Sequence, residues 1–502
     1  MTSIVDLQNV FKGDIVTPEH PEYDQALVRW AANSQRRAAV VAFVRDTEDV
    51  SAALAYAKAK GLPIAVRGGG HNPAGAASVE GGLVIDLSRY FAGVRVDAEK
   101  KLAYAGGGAL WGTVNTETMK HGLATTGGTV SHVDRRWRAS GLYCCLEPAA
   151  SDDLTSTFAL VRLTLGGGFG YLAGTHGLTI DNLVQATVVL ANGTVLTADS
   201  TENADLFWGI RGGGANFGVV TEFVYQLHPQ RPTVYAGVLV FPPPTLDALI
   251  PIVEKKSSDG LDPKETFMLV ASKLPNGMPG LLLLLFWNGS EEEGRAHFKP
   301  FFDLRPIMDM SKEMPYEIVN TLLDHENPVG SNYYLKSVSQ PRIDVGIAKR
   351  VRDAVYELSD KNPGFSISYI FEFWNLSKIN SVPNDAMAFQ RGVRLSSLAN
   401  IKYPENTPEQ LAIARDVAQT LTGIIASMDD NAPADVNTGY ANYNSDAPAL
   451  VDAINSTDEL MSEKKTEALF GTNLAMLQEI KKKYDPDLVF RKWFAIVPTT
   501  TV

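Results

Sequence analysis

Pro63-Ile64-Ala65-Val66-Arg67-Gly68-Gly69-Gly70-His71-Asn72 is a short strand-forming run that passes straight into three glycines, a histidine and an amide. Upstream, Ala38 to Val44 has the apolar, β-branched character of another strand. A helix follows it: Asp46 or Thr47 caps it, Val50, Ala53, Leu54 and Ala57 form the i, i+3, i+4, i+7 stripe, and Gly61 ends it. Downstream, Leu83 to Leu87 is a third strand. The order is β-α-β with a glycine turn at the carboxyl end of its second strand, where open α/β sheets bind ligands.

Three more glycine clusters lie further on: Thr126-Gly127-Gly128-Thr129, Leu165-Gly166-Gly167-Gly168-Phe169-Gly170 and Arg211-Gly212-Gly213-Gly214-Ala215-Asn216-Phe217-Gly218. Glycine permits positive φ and close backbone approach, and successive N–H groups then make a nest for an anion such as a diphosphate. None fits the strict dinucleotide fingerprint, and no lysine stands in a Gly-x-x-x-x-Gly-Lys frame. One cluster alone reads as a tight turn. Four within about 150 residues point to a diphosphate-bearing ligand.

Composition bounds the function. The chain has 502 residues, which suggests roughly three domains or two large ones. With 45 Lys and Arg against 57 Asp and Glu the net charge is −12, which argues against nucleic acid or an anionic membrane as the main partner. The two cysteines are adjacent, Cys144-Cys145, and exclude a disulfide framework or a cysteine-based metal module. The eight histidines show no metal-ligand spacing, so no metal is expected. The most apolar run, Leu281 to Trp287, has seven residues, against the ~20 that a spanning helix needs. The start, Met1-Thr2-Ser3-Ile4-Val5-Asp6, lacks a basic flank before an apolar core, so a cytoplasmic or other intracellular address is expected, secretion staying open if the N-terminus is incomplete.

The first 35 residues are weakly patterned, and no repeat of fixed period is visible. Gln185 to Ala191 and Thr194 to Ala198 flank Asn192-Gly193, a hairpin signal. Beyond His228-Pro229, strands at Val234–Phe241, Thr266–Ser272 and Leu281–Trp287 alternate with helices ending near Lys256 and spanning Glu292 to Phe302, most of a ferredoxin-like unit. A helix over Asp344–Leu358, a strand over Phe365–Phe373 and a helix over Pro408–Met428 extend it. The basic run from Lys464-Lys465 to Lys481-Lys482-Lys483 reads as a solvated face.

Arg67 to Asn72, followed by Val84-Ile85-Asp86-Leu87-Ser88, resembles the flavin-attachment segment of berberine-bridge-enzyme-like FAD-linked oxidases, part of the vanillyl-alcohol-oxidase class with a PCMH-type FAD domain. Gly177-Leu178-Thr179-Ile180-Asp181-Asn182-Leu183, the block Asp205 to Val220, Tyr440-Ala441-Asn442-Tyr443 and Tyr484-Asp485-Pro486 are similar to further segments of that family, in its order. The resemblance implies an α+β fold. Residues 1–228 would be a PCMH-type FAD-binding domain of two α+β subdomains. Residues 229–435 would be a substrate-capping domain with an antiparallel sheet, and 436–502 a segment returning to the FAD domain. It implies FAD joined covalently through His71. Val130 stands where some relatives attach FAD a second time through cysteine, so a single link is expected. Around His71, the cofactor contacts carried over are Arg67, Gly68, Gly69, Gly70, Asn72 and Gly75. From the later glycine segments they are Gly127, Gly128, Ser131, His132, Gly167, Gly168 and Gly170. Gly177, Asp181, Val219 and Val220 complete them.

Two departures stand out. Residues 134–162 number 29 where the family has a short glycine loop, a surplus of about 25. They are either a surface insertion or a retained short intron translated in frame, and loss of the loop favours the second. A cDNA that still encodes Cys144-Cys145 would rule the intron out. If the insert belongs to the protein, the alternative is a catalytically silent flavin-fold or binding protein. At the C-terminus, Leu488, Trp493 and Ala495 occupy a region where relatives carry asparagines.

The implied chemistry moves hydride from a small alcohol, amine, sugar or secondary metabolite to the flavin, with O2 as acceptor, while a base takes the substrate proton. An oxidase is expected rather than a dehydrogenase; the oligomeric state stays open. Tyr443 is the first choice for base, with Tyr440 and Asn442 beside it, provided that its pKa near ~10 falls or that it acts through a partner. A buried aromatic with a satisfied hydroxyl is the competing reading. Glu372 alternates with aromatics in Phe371-Glu372-Phe373-Trp374. It could face the flavin with a raised pKa, but strand alternation favours the solvent face. His132 and His176, near glycine motifs, could touch the cofactor or be structural.

Overall fold

A computed structural model of the chain describes residues 3–130, 160–324, 326–340, 342–428, 439–446 and 459–499. Ser131, His132, both cysteines and residues 134–159 lie outside the described residues. Three main sheets organise the rest. In the first, strands Val40–Phe43, Leu83–Asp86 and Ile64–Arg67 run parallel, and Asp14–Val16 adds antiparallel to Val40–Phe43. The Thr47–Lys60 helix connects two of them. Asp46 caps it by accepting from the Asp49 N–H at 3.0 Å, and Gly61 closes it with φ 64°, a conformation that favours glycine.

The second sheet is antiparallel, in the order Val94–Asp97, Leu102–Gly106, Val219–Gln226, Leu183–Val189, Val195–Asp199. The expected hairpin is its last pair, turning at Gly193 with φ 84°. Its core is completed from the far end of the chain: Leu477, Ile480, Tyr484, Trp493, Phe494 and Ile496 pack among Phe207, Phe217, Phe223 and Tyr225.

The third sheet has eight strands. Six of them follow the order Thr233–Phe241, Pro279–Trp287, Glu265–Lys273, Ser366–Trp374, Leu395–Tyr403, Asn332–Gln340. Two short strands, Met308–Asp309 and Lys312–Pro315, pair with Thr233–Phe241. The ferredoxin-like reading captures half of this. A strand-helix-strand-strand-helix unit occurs twice, over Thr233–Phe302 and Asn332–Ala426, and the sheet order mirrors itself about the seam between Glu265–Lys273 and Ser366–Trp374.

Strand alternation gives this sheet two faces. Leu239, Leu283, Leu269, Phe371 and Ala399 point to the face covered by helices Leu246–Asp259, Val345–Lys361 and Pro408–Ala426. Ala236, Met268, Leu284, Phe286 and Trp374 point the other way, onto Phe169, Tyr171 and Leu172 of the third glycine segment. The large sheet and the glycine-rich half meet on this second face.

Candidate active site

The glycine turn rests on a buried charge pair. Arg67 and Asp86 end neighbouring parallel strands in register, and Arg67 Nη1 donates to Asp86 Oδ2 at 2.9 Å. The Asp86 Oδ1 accepts from the Ser88 N–H and hydroxyl at 2.9 and 2.6 Å, which explains the Val84–Ser88 motif. Arg29, fully buried beside them, donates to the Ala77, Ala26 and Val28 carbonyls. Burial first, and the Arg67 charge second, lower its pKa. Two guanidiniums against one carboxylate leave positive charge under the Gly68–Gly70 turn. Gly70 needs its φ of 69°, and a Cβ there would press on Arg29 Cδ.

His71 follows, 7 % exposed. Its ring stacks on Trp30 at 3.8 Å, and Trp30 stacks on Tyr333 of the large sheet at 4.0 Å. Asn33 fixes this bridge by exchanging hydrogen bonds with the Tyr333 backbone at 2.8 and 3.1 Å.

A cleft open to solvent runs along this turn. Three of the four glycine clusters line it, through Gly68, Gly70, Gly166 and Gly214, with His71 and Asn72. The C-terminal Phe490, Arg491, Lys492 and Trp493 form its other wall, supplying two cations. The Trp493 Nε1–H is buried with no hydrogen-bond partner among the described residues. A cleft with glycine backbone, cationic side chains and an unpaired donor fits the diphosphate and ring acceptors of FAD.

In sequence that wall shows only as the Tyr484-Asp485-Pro486 segment and the departure at Trp493; Phe490, Arg491 and Lys492 were missed. They are held by the buried Lys481–Asp485 pair at 2.6 Å, with the Lys481 Nζ also donating to the Asn216 and Phe490 carbonyls at 2.5 and 2.6 Å. Asn216 in turn donates to the Trp493 carbonyl and accepts from the Ile496 N–H, both at 3.2 Å. The solvated-face reading of the basic run is therefore corrected at Lys481, which is fully buried and has its pKa lowered by that burial. Gly214 lies so close to the Trp493 ring that a Cβ could not fit.

Other expected contacts are placed elsewhere. Gly127 packs on Trp111, and Gly170 lies against the Gly127 carbonyl. The Gly128 carbonyl accepts from the Asn320 amide. Gly75 turns at φ 84° near Ser34, and Gly177 sits on Asp181, whose carboxylate pairs with Arg391 and accepts from the Leu178 N–H at 2.8 Å. Val219 and Val220 are core residues behind the site. His176 stacks on His228 at 3.8 Å, outside the cleft lining, its pKa lowered to about 4 by burial.

The tyrosine motif lies outside the cleft lining and reaches it through Gly166. Gly166 abuts the Asn442 amide, and the Tyr440 hydroxyl accepts from the Gly168 N–H at 3.0 Å and from Asn442 Nδ2 at 2.7 Å. Tyr443 meets Tyr440 edge-to-face at 5.0 Å and donates its hydroxyl proton to Glu372 Oε1 at 3.1 Å. Glu372 is 4 % exposed, on the inner face of the large sheet, so the solvent-face preference is wrong. Alternation puts Phe371 and Phe373 among the helices and turns Glu372 inward. Burial raises its pKa to about 7, against the hydrogen bond from Tyr443. Burial and the Glu372 charge push the Tyr443 pKa well above its ordinary value. Tyr443 is thus a poor base alone and a good relay to a carboxylate poised near neutrality.

Residues 38–134 match the FAD binding domain family, and residues 439–496 the berberine and berberine-like family. FAD-linked oxidoreductase pgmH of Aspergillus terreus is 31% identical over 509 aligned residues, 99% of this chain and 96% of that protein. The (R)-6-hydroxynicotine oxidase of Paenarthrobacter nicotinovorans is 33% identical over 232 residues, 46% of this chain and 45% of that enzyme. In structure, glucooligosaccharide oxidase from Acremonium strictum, described with a 6-S-cysteinyl, 8α-N1-histidyl FAD, matches with a TM-score of 0.78 at 22% identity over 99% of each chain.

Proposed function

Because the chain belongs to the berberine-like FAD-linked oxidoreductases, we propose that it oxidises a small alcohol, amine, sugar or secondary metabolite with FAD held through a single bond to His71, O2 being the final acceptor. The chain is an FAD-dependent oxidoreductase by family; the rest is our reading. Bound in the cleft, FAD supplies an acceptor for hydride.

The protein's part is to hold, orient and deprotonate. The Gly68–Gly70 and Gly166–Gly168 turns and the Arg491–Trp493 wall would hold the cofactor. The substrate hydroxyl would donate its proton to the Tyr443 oxygen as the Tyr443 proton passes to Glu372 Oε1, so that a carboxylate with a pKa of about 7 is the net base. Tyr440 and Asn442 fix Tyr443 against the glycine turn. His71, stacked on Trp30, would hold the cofactor through the single covalent link. Val130 at the position of the second link in some relatives supports one attachment rather than two.

The observation that carries this reading is the buried Tyr443–Glu372 hydrogen bond, linked to the glycine-lined cleft through Asn442 and Gly166. The test is anaerobic addition of alcohols, amines and sugars to flavin-loaded protein. Bleaching of the visible flavin band, reversed by air with release of hydrogen peroxide, is expected for at least one class. An oxidised spectrum with every class contradicts the reading.

A further inference from the structure

The large sheet carries an apolar row that ends at the Tyr443–Glu372 pair. Met308, Val240, Leu282, Val270, Ile370 and Leu398 are direct cross-strand partners on six successive strands. At the usual strand spacing the row is ~24 Å long. Met308 at its outer end is 51 % exposed, Leu282, Val270 and Ile370 are half-buried, and Val240 and Leu398 are buried. Residues two apart on a strand share a face, so Ile370 and Glu372 are neighbours on the inner face, roughly 7 Å apart along the strand. Ile370 and Tyr443 pack on the same cluster around Trp30, Tyr333 and Leu398. The row therefore leads from an exposed sheet edge to the group that would take the substrate proton.

The flanking row, Ser272, Ser368 and Asn400, is polar, and its Asn400 Oδ1 is buried with no hydrogen-bond partner among the described residues. Ser272 donates to the Lys273 and Ile367 carbonyls and Ser368 to the Asn400 carbonyl. The six side chains of the row itself offer a sugar no hydrogen-bond partner in exchange for its hydration, whereas a hydrocarbon body gives up none. Leaving four apolar residues of one row partly exposed is otherwise a cost to the fold.

We propose, resting on the function above, that the substrate is an elongated apolar alcohol, aryl or alkyl in body, with its hydroxyl at Tyr443 and Glu372 and its tail along the Ile370-to-Met308 row. The test is calorimetric binding under anaerobic conditions of 4-n-alkylbenzyl alcohols, methyl to octyl, with cello-oligosaccharides in parallel and flavin absorbance recorded in the same samples. Affinity should rise about two- to fourfold per methylene, and cello-oligosaccharides should bind roughly 100-fold more weakly than the octyl member. Ile370→Asn should flatten the series. Met308→Asp, at an exposed position, should leave the short members unchanged and weaken only the longest. Affinity independent of chain length, tighter sugar binding, or a dimer that Met308→Asp converts to monomer would overturn the proposal. Alkyl-dependent binding with an unbleached flavin would keep the stripe and contradict the oxidation; bleaching without length dependence would do the reverse.

Discussion

Replacing Glu372 with glutamine separates the proposed base from its architecture. The amide keeps the size and can still accept from the Tyr443 hydroxyl, but it cannot take a proton. Loss of a positioned base costs about 10²- to 10⁴-fold in rate. In the native protein the carboxylate form must be present, so kcat/KM should rise with pH through an acid limb near the Glu372 pKa of about 7. Glu372→Gln should abolish that limb. Stability gives an independent reading. The folded pKa lies above the ordinary 4.5, so between the two values the folded chain holds a proton that the unfolded chain has released. The associated stability is complete below the unfolded pKa and is lost as pH rises through about 7. The full shift corresponds to about 3 kcal/mol. Urea unfolding at pH ~4.5 and ~8.5 should therefore show Glu372→Gln gaining up to that amount relative to wild type at the higher pH. A variant with wild-type rate and an unchanged acid limb, or with the same stability difference at both pH values, would refute the assignment.

Tyr443→Phe removes a hydrogen bond that lowers the Glu372 pKa; the acid limb should move to higher pH and the rate fall about 10²-fold, and an unmoved limb would count against the pair. Trp30→Ala removes the stack that holds the His71 ring; the covalent flavin fraction, read by fluorescence on a denaturing gel, should fall severalfold while Trp30→Phe restores it, and full attachment in the alanine variant would show that the stack has no positioning role. Lys481→Met leaves Asp485 buried without its cation; the denaturation midpoint should reflect a loss of about 3–5 kcal/mol, partly recovered by adding Asp485→Asn, and an unchanged midpoint would contradict the account of how the Phe490–Trp493 wall is held.

The β-α-β unit and its glycine turn were legible because Asp46, the Val50–Ala57 stripe, Gly61 and the strand runs all point to the same local structure. The strands Asn332–Gln340 and Leu395–Tyr403 were not, because serines and asparagines occupy many of their inner-face positions and break the apolar pattern. The duplicated unit stayed hidden since its two copies differ in connection length, and period, not topology, is what a sequence displays. Glu372 was misjudged because alternation tells which residues share a face but not whether that face meets another layer. The cleft wall at Phe490–Trp493 depends on a return of the chain from far away, held by Lys481, a residue that in sequence is one of three consecutive lysines. The 134–159 stretch, where the glycine loop was expected, lies outside the described residues.

The most direct test of the account is the state of His71 itself. The purified chain should be precipitated in acid, washed, digested, and the peptide spanning Arg67 to Asn72 examined by mass and visible absorbance. A yellow pellet, with flavin on the His71 peptide and on no other, is the predicted result. A colourless pellet with an unmodified His71 peptide would contradict it.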